Sequence, residues 1–200
     1  MSGANYRAGG TEGRPTPKDR WRTPPDLYRS MDARFRFELD AACDSDNQLA
    51  PSGLCRDLGH DALAEPWQAS SVWCNPPYSK VEPWTQKAVT ESRLRGCLVA
   101  MLIPADVSVG WWGRWVAPHA TRVEFVSQRL RFLTPEGGEH RTKRSGGGLT
   151  TPSAIVIYTA AGGPPSYGYV NRQGERVQLS EQAGQIDLGL TPSSPERREP

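Results

Sequence analysis

Apolar positions recur along this chain with two different periods. Leu27, Met31 and Phe35 stand at helical spacing behind Thr23-Pro24-Pro25-Asp26, where Thr23 can cap a helix and Pro24 suits a first turn. A helix is predicted near residues 24–34. From Phe35 to Asp40 apolar and polar residues alternate, and the run ends in an acid followed by Ala41-Ala42. That pattern predicts a short strand delivering Asp40 to its C-terminal edge, where ligands gather in open α/β sheets. Residues 47–69 are polar and broken apart from His60-Asp61-Ala62-Leu63 and Trp67, and read as irregular.

Ser71-Val72-Trp73-Cys74 is a brief apolar strand halted by Asn75-Pro76-Pro77, because two prolines remove ladder donors and force an extended exit. A helix from about Val81 to Arg95 follows. The continuous apolar run from Gly96 to Ile103 predicts a strand buried on both faces of a parallel sheet, ended by Pro104-Ala105-Asp106. Val107 to Ala117 is rich in tryptophan and reads as helical. Trp111, Trp112 and Trp115 share one face of it and are assigned to the core. Residues 122–126 and 154–158 supply two further strands. Strands separated by helices predict an α/β fold, a mostly parallel twisted sheet with flanking helices.

Composition changes this picture mainly at the ends. A 36% hydrophobic content supports one core, while 20 glycines and 18 prolines imply extensive loop. One domain over 21–180 is expected, between a flexible basic arm at 1–20 and a disordered tail at 181–200. A mobile loop is expected at about 134–153, around Pro135, Gly137-Gly138 and Gly146-Gly147-Gly148, and a hairpin at 167–179 turning at Asn171-Arg172-Gln173-Gly174. Net charge is only +2 and pI about 8.4, so any nucleic-acid contact must come from local patches. No apolar stretch is long enough to span a bilayer and no apolar signal core opens the chain, so a cytoplasmic protein without membrane attachment is expected. Cys43, Cys55, Cys74 and Cys97 form no C-x-x-C pair, which predicts reduced thiols and no metal site.

The densest chemistry lies in Asn75-Pro76-Pro77-Tyr78, directly after a strand. An aromatic amine has its lone pair delocalised into the ring and is a poor nucleophile. The side-chain oxygen of Asn75 and the main-chain oxygen of Pro76 can both accept from such an amine, aiming its lone pair at an electrophilic methyl. The prolines make that oxygen pair rigid. Tyr78 can stack on an extruded base, a contact worth about 1–3 kcal/mol. A plain turn, with Asn starting it and Pro continuing it, is the alternative origin of the motif.

Several further segments, in order, match one known family. Trp21-Arg22-Thr23-Pro24, Phe37-Glu38-Leu39-Asp40-Ala41-Ala42 with Asn47, and Asp61-Ala62-Leu63 before Trp67 come first. Val72-Trp73-Cys74-Asn75-Pro76-Pro77-Tyr78-Ser79, Pro104-Ala105-Asp106 before Trp111-Trp112, and Arg129-Leu130-Arg131-Phe132 complete the set. Over residues 21–158 the chain resembles the phage DNA N-6-adenine-methyltransferase family, a branch of the class I methyltransferases. The resemblance implies a single-domain Rossmann-like class I methyltransferase fold, with S-adenosylmethionine as cofactor at the strand ends and DNA as partner. It implies transfer of a methyl group to N6 of a flipped adenine by the Asn75-Pro76-Pro77-Tyr78 loop, without metal or covalent intermediate.

By the same resemblance, Thr23 and Pro24 lie beside the methionine part of the cofactor, and Asp40 reaches its amino group while Ala41 and Ala42 permit close approach. Asp61 accepts from the cofactor adenine. Thr23 as a helix cap and Asp61 as an exposed loop acid are the structural alternatives. Cys43-Asp44-Ser45-Asp46 stands where a Gly-x-Gly turn is usual, and Asp44, Asp46 and Asp57 are unranked candidates for the ribose. Arg129, Arg131, Arg141, Lys143 and Arg144 can pair with phosphates, or belong to a solvated charged loop. Cytosine N4, RNA or a protein amide as acceptor, and an inert DNA-binding module of the same fold, are the competing functions. A phage origin would place the protein in the host cytoplasm. With little chain left for a recognition domain, a short or relaxed recognition sequence is expected.

Overall fold

The computed structural model describes residues 17–138 and 152–178. Eight strands form one sheet: β1 (Leu39–Cys43), β2 (Ser52–Cys55), β3 (Ser71–Cys74), β4 (Leu98–Pro104), β5 (Arg122–Val126), β6 (Ser153–Tyr158), β7 (Ser166–Val170) and β8 (Arg176–Val177). Their order is β2-β1-β3-β4-β6-β5-β7-β8. β1 pairs in parallel with β2 and β3, β3 with β4, and β5 with β7, whereas β6 runs antiparallel to β4 and β5, and β8 to β7. The fold is α/β and the sheet is mixed: the expected parallel pairing runs through β2-β1-β3-β4 and joins β5 to β7, while β6 and β8 are antiparallel to their neighbours. Residues 159–165, which leave β6, are too few for a helical crossover, and β7 accordingly runs opposite to β6, on the far side of β5.

Both faces of the sheet are covered by apolar packing. On β4, Val99, Met101 and Ile103 face one core with Ala88 and Val89 of α2 (Val81–Arg95), while Ala100 and Leu102 face another with Leu27 and Met31 of α1 (Pro25–Phe35). That two-sided burial is what the unbroken apolar run encodes. Gly96 closes α2 in the left-handed conformation at φ 74°, its N–H donating to Ser92 O. Glu124 of β5 is fully buried and holds a bidentate pair with Arg34 of α1, joined by Arg122 and Arg176.

Several boundaries differ from expectation. Pro24, not Thr23, caps α1: its carbonyl accepts from Tyr28 N–H, and no side-chain cap forms. The strand expected at 35–40 begins at Leu39, because Arg36 ends α1 in the left-handed region and Phe37 N–H donates to Asp32. The segment read as irregular contains β2, an edge strand whose Ser-Gly-Leu-Cys sequence carries no apolar run. The tryptophan-rich segment forms a π-helical turn, Trp112–Val116, with Trp112 buried and Trp111 and Trp115 packed against the core. Residues 134–138 make a turn and Ser153 already belongs to β6. The remainder of the expected mobile loop, with Arg141, Lys143 and Arg144, lies outside the described residues, as do nearly all of the N-terminal arm and the tail at 181–200.

The expectation of four reduced thiols is also corrected. Cys43 of β1 and Cys55 of β2 are register partners on adjacent parallel strands and form a disulfide. Gly53 accommodates it, since a Cβ there would lie 2.6 Å from Cys43 Sγ. Cys74 and Cys97 are free and buried.

Candidate active site

Strand order reverses between β1 and β3, since the chain leaves β1 towards β2 on one side and later places β3 on the other. A crevice opens outside the carboxyl ends of strands at such a switch point. A cleft of about 510 Å³ lies there, within the range of small-molecule sites. Asp40 of β1 stands in register with Trp73 of β3, and Asn75 follows two residues later, so the sheet brings the candidate acid and the candidate amide together.

Thr23, Asp40, Ala42, Asp61, Asn75 and Pro77 all line this cleft. Pro24 is used in the helix cap and Ala41 is packed in the core. Pro76 is buried behind the turn. Tyr78 stands beside the cleft rather than in its wall. Its ring packs edge-on against Trp21 and Phe132 at 5.9 and 5.7 Å between centroids, and Trp21 stacks on Phe132. Burial pushes the Tyr78 hydroxyl above the ordinary phenol range, so it stays neutral. Arg129 and Arg131 are exposed on the segment after β5, alternating with buried Leu130 and Phe132.

Asp40 is 3% exposed and accepts from the main-chain N–H groups of Ala42 and Leu49 at 3.2 and 3.1 Å. Burial outweighs those two bonds and raises its carboxyl to about 6. Asp61 uses one carboxylate oxygen on the N–H groups of Leu63 and Ala64, which shapes the turn that presents it to the cleft. Among the three acids left unranked for a ribose, Asp44 lines the cleft, Asp57 is held by Ser45, and Asp46 pairs with Arg22.

Asn75 carries the most specific geometry. Its Nδ2 donates to the main-chain oxygen of Trp21 at 3.0 Å, while its Oδ1 is buried without a hydrogen-bond partner. Buried acceptors are nearly always satisfied, so this oxygen has capacity to accept from a donor outside the protein. The sequence gives no sign of this contact at Trp21, because a main-chain acceptor leaves no mark on residue identity. The buried thiol of Cys74, next to Asn75, is pushed well above its ordinary value by burial and by Asp40, which makes it a poor nucleophile.

The family profile described as DNA N-6-adenine-methyltransferase (Dam) matches residues 10–178. The chain belongs to this family. It is 28% identical over 143 residues to the DNA N-6-adenine-methyltransferase of Haemophilus phage HP1 (strain HP1c1), covering 70% of this chain and 79% of that protein. It is 30% identical over 155 residues to the protein of the same name from Escherichia phage T1, covering 70% of this chain and 63% of the relative. Among the described residues no helix is long and apolar enough to cross a membrane, and no group of three or more His, Cys, Asp or Glu side chains is placed to hold a metal.

Proposed function

We propose that this family member transfers a methyl group from S-adenosylmethionine to N6 of an adenine turned out of DNA, on a class I methyltransferase type of sheet. The observation that carries the reading is the buried, unpartnered Oδ1 of Asn75 beside a cleft that also holds the buried acid Asp40. When bound, the cofactor supplies a sulfonium-activated methyl group. The residues present fit it: a buried carboxylate suits an ammonium, and the cleft has the volume for a nucleoside with an amino-acid arm.

In this reading Asp40 receives the ammonium of the methionine moiety, Thr23 contributes its hydroxyl near the carboxylate, and Asp61 accepts from the cofactor adenine with the oxygen it does not use in its own turn. Asn75 Oδ1 and the Pro76 carbonyl accept from the target N6 and turn its lone pair towards the methyl. The target nitrogen would take the methyl group that the bound cofactor supplies, and its surplus proton would pass to water. Neither free cysteine takes part, since burial raises both thiols. Tyr78 offers the base a ring already braced by Trp21 and Phe132. Arg129 and Arg131 contact the DNA backbone. The two phage relatives support a phage or prophage setting.

The test is incubation of unmethylated DNA with labelled S-adenosylmethionine, followed by nucleoside mass spectrometry, beside an Asn75→Ala control. N6-methyladenine that disappears in the control is expected. N4-methylcytosine would overturn the acceptor, and no modified base would point to RNA, a protein amide or an inert DNA-binding module.

A further inference from the structure

The segment ahead of α1 grips the Asn-Pro-Pro-Tyr turn at both ends. Trp21 O accepts from Asn75 Nδ2 at 3.0 Å, and Asp19 Oδ1 accepts from the main-chain N–H of Ser79 at 2.9 Å. The same segment is fixed from behind. Arg22 exchanges two main-chain hydrogen bonds with Leu133, at 2.9 and 3.1 Å, and its guanidinium pairs with Asp46. The Trp21 ring is stacked on Phe132. The carbonyl facing Asn75 therefore has little freedom to turn away.

A carbonyl oxygen accepts and never donates. The atom of residue 75 that faces Trp21 must then be a donor, while the atom offered to the substrate must be an acceptor. A neutral amide meets both demands on one side chain. A rotated amide would set two acceptors against each other and present N–H groups to the incoming amine.

We propose that the main-chain carbonyl of Trp21 is a positioning group for methyl transfer, setting the orientation of the Asn75 amide and excluding a carboxylate from position 75. The inference rests on the reading that Asn75 Oδ1 receives the target amine. It leads somewhere that reading alone does not. For holding an amine, a carboxylate is at least as good an acceptor as an amide, so without the Trp21 carbonyl Asn75→Asp would work well at neutral and alkaline pH. With it, the ionised side chain meets a fixed acceptor in a site shielded from water. Only the protonated form, donating to Trp21 and accepting from the substrate, restores the geometry.

The test compares kcat of wild type and Asn75→Asp on unmethylated DNA between about pH 6 and pH 8.5. The titratable and charged groups lining the cleft, namely Asp19, Arg20, Arg22, Asp40, Asp44, Arg56, His60, Asp61 and Lys80, are common to both proteins, so the wild-type profile is the reference. The ratio of variant to wild type is expected to fall about tenfold or more as pH rises, with KM for S-adenosylmethionine little changed. A ratio that is constant or rises with pH overturns the proposal. A second readout needs no catalysis and no variant: by NMR, the Asn75 side-chain amide protons of the wild type are expected to exchange with water far more slowly than those of exposed Asn and Gln. Exchange at exposed rates would equally overturn it. If the wild type makes no N6-methyladenine, the functional reading fails, and the exchange measurement still decides the role of Trp21.

Discussion

Asp40 on β1 lies directly opposite Trp73 on β3, in a stretch of sheet where both neighbours are parallel and both residues are almost fully buried. This pairing sets the site's geometry. It fixes how far the carboxylate of Asp40 stands from the turn that begins after Cys74, the two parts of the cleft that the proposed reaction would bring together. Two elements far apart in sequence are brought into that relation by main-chain pairing, which side-chain substitutions at the cleft leave intact.

Asp40 should trade stability against cofactor binding. Its folded carboxyl, raised to about 6 from an ordinary 3.8, holds a proton that the unfolded chain has already released. The unliganded fold is therefore favoured fully below the unfolded value and loses that advantage as pH rises through about 6. Asp40→Asn removes the buried charge but turns an amide NH2 towards one of the two main-chain N–H groups that the carboxylate accepts from, so stability at pH 7.5 should change little while its pH dependence below about 6 is lost. An ammonium bound to Asp40 favours the ionised form, so wild-type affinity for S-adenosylmethionine should strengthen as pH rises through about 6, and the variant should bind weakly at all pH. Calorimetry and thermal melts check both. A variant that binds as tightly as wild type would remove Asp40 from the cofactor site.

What was legible in the sequence is what burial writes into side chains. The unbroken run at 98–103, the Asn-Pro-Pro stop after β3 and the helix of α2 were readable because each is a local pattern with a physical cause. The family resemblance placed Thr23, Asp40, Asp61 and Asn75 in one site, and the structure brings them to one cleft. The strand β2 was not readable, since a four-residue edge strand with a Ser and a Gly has no periodic signal, and the Cys43–Cys55 link was hidden with it. The role of Trp21 was invisible for a different reason: it acts through its main-chain oxygen, which every residue type possesses.

Tyr78 should prove to act through its ring. Its buried hydroxyl has only the Ser153 hydroxyl to interact with, and makes no full hydrogen bond to it, so Tyr78→Phe should change stability by less than about 1 kcal/mol, with activity within about threefold of wild type. Tyr78→Ala instead removes the ring packed against Trp21 and Phe132, and should lower stability by about 2–4 kcal/mol and activity much further. Urea denaturation and initial rates on both variants decide the matter. Loss of activity in Tyr78→Phe would assign the hydroxyl a role in the reaction.

The disulfide should stabilise the cleft wall. Cys43 lines the cleft, and the bridge to Cys55 closes a loop with a sequence separation of 12, for which chain entropy gives about 3 kcal/mol. Melting in the presence of a reductant, or of the Cys43→Ser/Cys55→Ser double variant, should therefore fall by several degrees. S-adenosylmethionine should recover part of that loss by binding the folded form. Identical melting with and without reductant would show that the bridge contributes nothing to the fold.

Arg129 and Arg131 should contribute to DNA affinity through charge and not through sequence. They lie on a segment anchored by buried Leu130 and Phe132, and its next residue, Leu133, is bonded to Arg22, which ties the segment to the turn proposed to receive the target base. Each phosphate neutralised by an arginine releases counterions, and the logarithm of the binding constant then falls linearly with the logarithm of salt concentration. Arg129→Ala and Arg131→Ala should each reduce that slope by about one and weaken binding to unrelated duplexes to the same extent. Fluorescence anisotropy across a salt series on two duplexes of different sequence measures both quantities. A variant that loses affinity for one duplex only, with the salt slope unchanged, would show that its arginine reads a base edge instead of the backbone.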